Sequence, residues 1–146
     1  MKNLIDILKK KDSCYFYRIS PETKIEQLLQ YFESNSWQFF YIKGEGIIDK
    51  ATFLDIWSKT LNFPDYFGNN WDAFDDCLLD LEWCELTPRI IIYNQPEKFA
   101  HQDPDEWETV IDVLLIALGY WAKKATPLYI IFQTEDPLFE AIAKLN

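Results

Sequence analysis

Apolar residues along this 146-residue chain form short continuous runs that alternate with stretches in which they recur every three or four positions. Two runs, at 89–94 and 128–132, are apolar almost throughout, which is typical of strands buried on both faces of a parallel sheet. Between them, helical spacing predicts a long helix at about 105–124, with an acidic first turn and a basic last turn. Strands that alternate with helices imply crossover connections, and therefore an α/β fold with a parallel sheet.

The remaining elements follow from the same patterns. Further strands are predicted at 14–19 and 37–42, where aromatic residues are dense. Further helices are predicted at 2–10, 21–34, 50–61, 70–81 and 136–145. Asn70 is suited to cap the 70–81 helix, and loops are expected at 62–69 and 95–104.

Composition narrows the classes of function. A formal charge of −10 repels phosphate backbones, so we expect no nucleic-acid partner, whereas a basic protein would be attracted. The three cysteines form no CxxC pair, which favours a reducing compartment. Because the N-terminal residues do not have the order of a signal peptide and no run reaches membrane-spanning length, we expect a cytoplasmic protein that does not bind membranes.

The negative charge is concentrated in one part of the chain. Between Lys59 and Arg89 there is no basic residue and there are seven acids: Asp65, Asp72, Asp75, Asp76, Asp80, Glu82 and Glu85. On the 70–81 helix, Trp71, Phe74, Cys77, Leu78 and Leu81 are expected to point inward. Asp72, Asp76 and Asp80 follow at four-residue steps on the other side, where like charges destabilise a helix by a few tenths of a kcal/mol per pair.

Three interpretations of this acidic helix remain open. It is a solvated face, a binding site for a hard cation, or a docking surface for a basic cleft. A straight helix offers few converging oxygens, which disfavours the cation. Docking explains the unrelieved charge best, with Tyr66 and either Tyr41 or Trp83 as apolar anchors beside it.

Catalytic chemistry is not indicated. The single histidine, His101, lies in a predicted loop without a nucleophile motif, and Cys77 falls on the apolar side of its helix. There is no phosphate-binding loop, no dinucleotide fingerprint and no spacing typical of metal ligands. We therefore predict a protein that is not an enzyme and needs no cofactor or metal.

Residues 61–78 (LNFPDYFGNNWDAFDDCL) resemble the barstar family of ribonuclease inhibitors, and the similarity extends over about 37–133. The resemblance implies a three-stranded parallel sheet surrounded by helices, with the acidic helix and the preceding loop entering a nuclease active site. Four positions match inhibitory positions of the family, and Asp76 takes that of its central aspartate: Tyr66, Asn70, Asp72 and Asp76. The chain departs from the family at Asp75, at 79–81, and at Ile116, where an acidic contact is expected.

Together these observations predict an α/β protein with a barstar-like domain at 37–146 and an N-terminal αβα extension at 1–36 packed on the core. The predicted function is cytoplasmic inhibition of a basic ribonuclease; the alternative is an acidic interaction module whose partner is not a nuclease. The oligomeric state and the role of the extension remain open. The predicted partner-binding residues are Tyr66, Asn70, Trp71, Asp72, Asp75, Asp76 and Asp80.

Overall fold

A computed structural model of the protein describes residues 4–64, 70–80 and 87–145. Helices and strands alternate along the chain, as the hydrophobic pattern predicts. In chain order they are α1 (Leu4–Lys9), β1 (Tyr17–Ile19), α2 (Ile25–Ser34), β2 (Gln38–Lys43), α3 (Lys50–Thr60), α4 (Trp71–Leu79), β3 (Arg89–Asn94), α5 (Glu97–Gln102), α6 (Pro104–Ala122) and β4 (Leu128–Gln133). Short 3₁₀ turns occupy Gly44–Gly46 and Pro137–Phe139.

The strands form one parallel sheet in the order β1-β4-β3-β2. The predicted three-stranded sheet is therefore wrong in its strand number. The fourth strand is β1, which pairs with the edge of β4 so that Tyr17 lies opposite Ile131. Tyr17 and Ile19 are buried there, and the pairing covers a sheet edge that would otherwise expose unpaired backbone groups.

Helices pack on both faces of the sheet. Because side chains alternate along a strand, Ile90 and Ile92 join a hydrophobic cluster with α1 and α2 on one face. Ile91 and Tyr93 join a larger cluster with α3, α4, α5 and α6 on the other face. All six residues of β4 are buried. This double burial explains why the central strands are apolar over most of their length.

Two of the predicted elements differ from the structure. The 136–145 helix is wrong: only a 3₁₀ turn forms, and the following residues run beside β1, where Leu145 N–H donates to the carbonyl of Arg18 at 2.9 Å. The 95–104 segment is not only a loop, because α5 lies within it and buries Phe99 and Ala100. His101 accordingly lies on a helix.

Side-chain caps fix the starts of the helices that surround the acidic segment. At the start of α3, the Asp49 carboxylate accepts from Thr52 N–H while the Thr52 hydroxyl accepts from Asp49 N–H. These reciprocal bonds satisfy two backbone donors that have no partner within the helix. Asp103 accepts from Glu106 N–H in the same way at the start of α6.

Candidate functional site

The first turn of α4 is fixed by Asn70 and Trp71. Asn70 caps the helix: its Oδ1 accepts from Ala73 N–H at 2.7 Å. The indole N–H of Trp71 donates to Glu106 Oε2 on α6 at 2.8 Å, and its ring lies 5.4 Å from that of Phe53. Both predicted site residues thus have structural roles at the start of the helix.

The last turn of α4 is attached to the same neighbouring helix. Phe74, Cys77 and Leu78 are buried against the core, as the helical pattern predicts. The indole N–H of Trp121 on α6 donates to the carbonyl of Leu78 at 3.0 Å. Hydrogen bonds to α6 at its first and last turns therefore hold α4 in a fixed orientation.

The outer side of α4 carries Asp72, Asp76 and Asp80, which are all exposed; we call these three residues the acidic face. Asp72 and Asp76 lie within the helix, and Asp80 is its C-cap residue. None of the ion pairs between residues that the structure describes includes any of the three. Their charges are therefore not neutralised by the described part of the chain, and the field of α4 is directed outward.

Asp75 differs from the acidic face because it is partly buried. Its Oδ1 is enclosed and has no hydrogen-bond partner in the described part of the chain. Burial raises the pKa of this carboxyl above its usual value, and the charges of Asp76 and Asp72 raise it further. Burial, followed by the charges of Asp76 and Asp80, also raises the pKa of the Cys77 thiol, which disfavours the reactive thiolate.

The sequence predicted Tyr66, with either Tyr41 or Trp83, as apolar anchors beside the acidic helix. Tyr66 and Trp83 lie outside the described residues. Tyr41 is on the wrong face of the sheet: it packs with the cluster beneath α1 and α2, and its hydroxyl donates to Gln133 Oε1 at 3.2 Å. Strand alternation places its neighbour Ile42, not Tyr41, on the side of α4.

Sequence patterns missed an exposed apolar surface next to α4. Ile116 and Tyr120 on α6 have 58% and 40% of their surface exposed. Tyr120 follows Ile116 by four residues, which places both side chains on one side of the helix.

The carboxyl ends of the strands, where α/β proteins commonly bind ligands, hold a cluster of polar side chains. Gln133 on β4 is buried, and its Nε2 donates to the carbonyls of Pro21 and Thr23 at 3.3 and 3.2 Å. Its Oε1 accepts from Asn94 Nδ2 as well as from Tyr41. These groups satisfy one another, so the cluster serves the fold.

Metal and acid–base chemistry have little support in the described residues. No group of three or more His, Cys, Asp or Glu side chains in this part of the chain is arranged to hold a metal ion. His101 is exposed and lies 3.0 Å from Asp136, whose carboxylate also caps the turn at Leu138. Among the helices described, none combines the length and apolar character needed to cross a membrane.

Comparison with known families identifies the class of this protein. The family model of barstar, the barnase inhibitor, matches residues 37–133. The chain therefore belongs to the barstar family, as the 61–78 segment predicts. No curated protein matches the chain at a significant level.

A solved structure of Cdc6p from Pyrobaculum aerophilum resembles the fold, with a TM-score of 0.52 and 16% sequence identity. The match covers 89% of this chain and 38% of the Cdc6p chain, so this protein spans less than half of that structure. At this identity the similarity concerns the fold alone.

Proposed function

We propose that this protein inhibits a basic ribonuclease by inserting α4 and the preceding loop into the active site of the enzyme. The observation that carries the proposal is the acidic face on a helix that is held at both ends by α6. Its charges have no partner among the described residues, so a positively charged cleft would supply the missing counter-charges. Membership of a family of barnase inhibitors supports the same conclusion.

The geometry of α4 suits it to imitate a nucleic-acid backbone. Successive residues of the acidic face are four positions apart, which corresponds to about 6 Å along a helix axis. The exposed carboxylates thus offer a row of negative oxygens to groups that bind phosphates. Asp76 lies in the middle of this row and occupies the central position that the family resemblance assigns.

The other parts of the proposal concern organisation and location. We propose that residues 37–146 form the inhibitory domain and that 1–36 form an extension that completes the sheet through β1. Cys14 and Cys77 are free thiols, which supports a reducing compartment such as the cytoplasm. The inhibitor would act there by binding, without catalysis of its own.

A second candidate is an acidic interaction module whose basic partner is not a nuclease. The departures from the family favour it, since Asp75 and Ile116 stand where the family has other contact residues. Both candidate functions use the acidic face. They are distinguished by whether the protein blocks the activity of a nuclease.

The test is inhibition of RNA cleavage by a panel of purified small basic ribonucleases, including barnase and those encoded by the source organism. We expect the wild type to inhibit at least one of them at a stoichiometric ratio. Asp76→Asn should weaken binding to that enzyme by roughly 30-fold or more, the size expected for a central residue of an interface (at least about 2 kcal/mol). Association should also slow as salt is added, because exposed charges steer the encounter.

Asp6→Asn is the matched control. Asp6 is an exposed acid on α1, across the sheet from α4, and its replacement removes the same charge. Equal loss of binding in both variants would mean that net charge, not the acidic face, is responsible. Failure to inhibit any enzyme of the panel would contradict the proposed function.

A further inference from the structure

We propose that the side of α6 next to the acidic face selects the target, because it binds an apolar surface beside the basic cleft of the nuclease. We call Leu79, Val113, Ile116 and Tyr120 the apolar rim. This inference rests on the proposed function and adds to it the chemistry of the surface that the nuclease must present around its active site.

The position of the rim on α6 follows from helix geometry. Glu106, Val113 and Tyr120 are seven residues apart, and seven residues return to nearly the same side of an α-helix. Glu106 is the residue that accepts the Trp71 hydrogen bond, so this side of α6 faces α4. Ile116 lies three residues after Val113 and four before Tyr120, and it therefore adjoins the same side.

The residues on the side of α4 that faces α6 indicate the same arrangement. Asp75 and Leu79 follow Trp71 at four-residue steps and lie on the side that Trp71 turns toward α6. Asp75 is partly enclosed and its Oδ1 is buried, as expected for a residue in the seam between two helices. The acidic face borders this seam on α4, and the rim residues Val113, Ile116 and Tyr120 border it on α6. The two surfaces are therefore adjacent.

Two of the rim residues are exposed and two anchor the rim to the fold. Ile116 is 58% exposed and Tyr120 is 40% exposed, while Val113 and Leu79 are partly buried against the core. The ring of Tyr120 makes an edge-on contact with Trp121 at 5.1 Å, and Lys124 Nζ lies 4.7 Å from its centroid. An aromatic side chain has few rotatable bonds and therefore loses little conformational freedom on binding, which makes it an effective anchor.

Charge and continuity together specify the occupant. A partner that covers the acidic face must be basic, and the same partner would extend over the seam onto the rim. Strong interfaces combine a desolvated apolar centre with polar surroundings, and the rim supplies apolar area that the acidic face lacks. We therefore infer a nuclease with an apolar patch beside its basic cleft, in preference to one whose cleft is surrounded by further Arg and Lys.

The test compares Ile116→Glu with Leu115→Glu against the member of the ribonuclease panel that the wild type binds most tightly. Leu115 is an exposed residue of the same helix, 37% accessible, and points about 100° away from Ile116. Both variants add one negative charge at nearly the same place, so long-range attraction to a basic enzyme changes equally. We expect Ile116→Glu to weaken binding at least 10-fold and Leu115→Glu to change it less than twofold. Thermal melts check that both variants are folded.

The outcomes separate this inference from the proposed function. If Asp76→Asn abolishes binding but the two glutamate variants bind alike, the nuclease does not touch the rim and only the inference is overturned. If Ile116→Glu binds more tightly and Leu115→Glu does not, a basic side chain of the nuclease lies opposite position 116, and the inference is also overturned. If no enzyme of the panel is inhibited, both fail. A wild-type dimer that Ile116→Glu dissociates, with nuclease binding unchanged, would assign the rim to a second copy of the chain instead.

Discussion

Asn in place of Asp75 removes one charge from the seam between α4 and α6 while nearly preserving the shape of the side chain. In the wild type, Oδ1 is buried without a hydrogen-bond partner among the described residues, and the charges of Asp76 and Asp72 oppose ionisation. Each of these factors destabilises the folded protein when Asp75 is charged. We therefore expect Asp75→Asn to be more stable than the wild type at neutral pH.

The magnitude follows from the charge, because the amide of Asn would be enclosed in the same place. A charged group without a hydrogen-bond partner costs more to bury than a neutral one, and for this partly enclosed side chain we expect a difference of about 1 kcal/mol. A gain of about 1 kcal/mol corresponds to a rise in melting temperature of roughly 3 °C for a domain of this size. The size of the effect depends on pH, but its sign does not. The pKa of Asp75 is raised above the 3.8 of the unfolded chain, so folding favours the protonated acid. The destabilisation is complete above the raised pKa and disappears below 3.8.

The assay is thermal unfolding followed by circular dichroism between pH 7 and pH 3. The difference between Asp75→Asn and the wild type should shrink as the pH falls toward 4. Asp6→Asn is the control, since it removes a charge from an exposed position on α1, and Asp6 is not among the charges that act on Asp75. A less stable Asp75→Asn, or a stability difference that is the same at every pH, would refute the reasoning.

Three further predictions concern the scaffold. Gly44→Ala should lower the free energy of unfolding in urea by about 3 kcal/mol, because the new Cβ would lie 1.8 Å from the carbonyl oxygen of Asn94; an unchanged urea midpoint would contradict this. Asp49→Ala should cost about 1 kcal/mol in the same assay through loss of the α3 cap, and a neutral effect would mean that the cap is dispensable. Tyr129→Phe should destabilise by about 1 kcal/mol, since its buried hydroxyl donates to the carbonyl of Leu8 at 3.1 Å. Faster amide exchange in α1 should accompany the loss, and exchange that changes equally throughout the chain would argue against a local role.

The regular elements of the fold could be predicted because their signals are local and long. The strands at 89–94 and 128–132 and the long helix between them have continuous apolar or periodic patterns, and the structure contains all three. Short elements give weaker signals. Apolar spacing predicts α1 but not α5, which is also six residues long, and the aromatic run that predicts β1 gives no sign of its place in the sheet.

The candidate site was predictable only where it depends on a single helix. Four-residue spacing correctly placed Asp72 and Asp76 on the exposed side of α4 and Phe74 on its buried side. The hydrogen bond from Trp71 to Glu106 joins residues 35 positions apart, and no local pattern indicates such a pair. The burial of Asp75 likewise depends on α6, which the helical pattern of α4 alone does not include.

The same long-range contacts explain how α4 tolerates its charge. The helix has nine residues, and isolated helices shorter than about 12–15 residues are marginal in water even without like charges in adjacent turns. Its stability must therefore come from tertiary contacts, above all the buried side with Phe74 and Leu78 and the two indole hydrogen bonds that join it to α6. Since these contacts fix the inner side, the outer side is free to carry carboxylates, whose mutual repulsion the proposed basic partner would relieve. Stability alone would favour lysines between these carboxylates, because a lysine four residues from an aspartate forms a favourable pair. A face that carries only carboxylates therefore points to selection for binding.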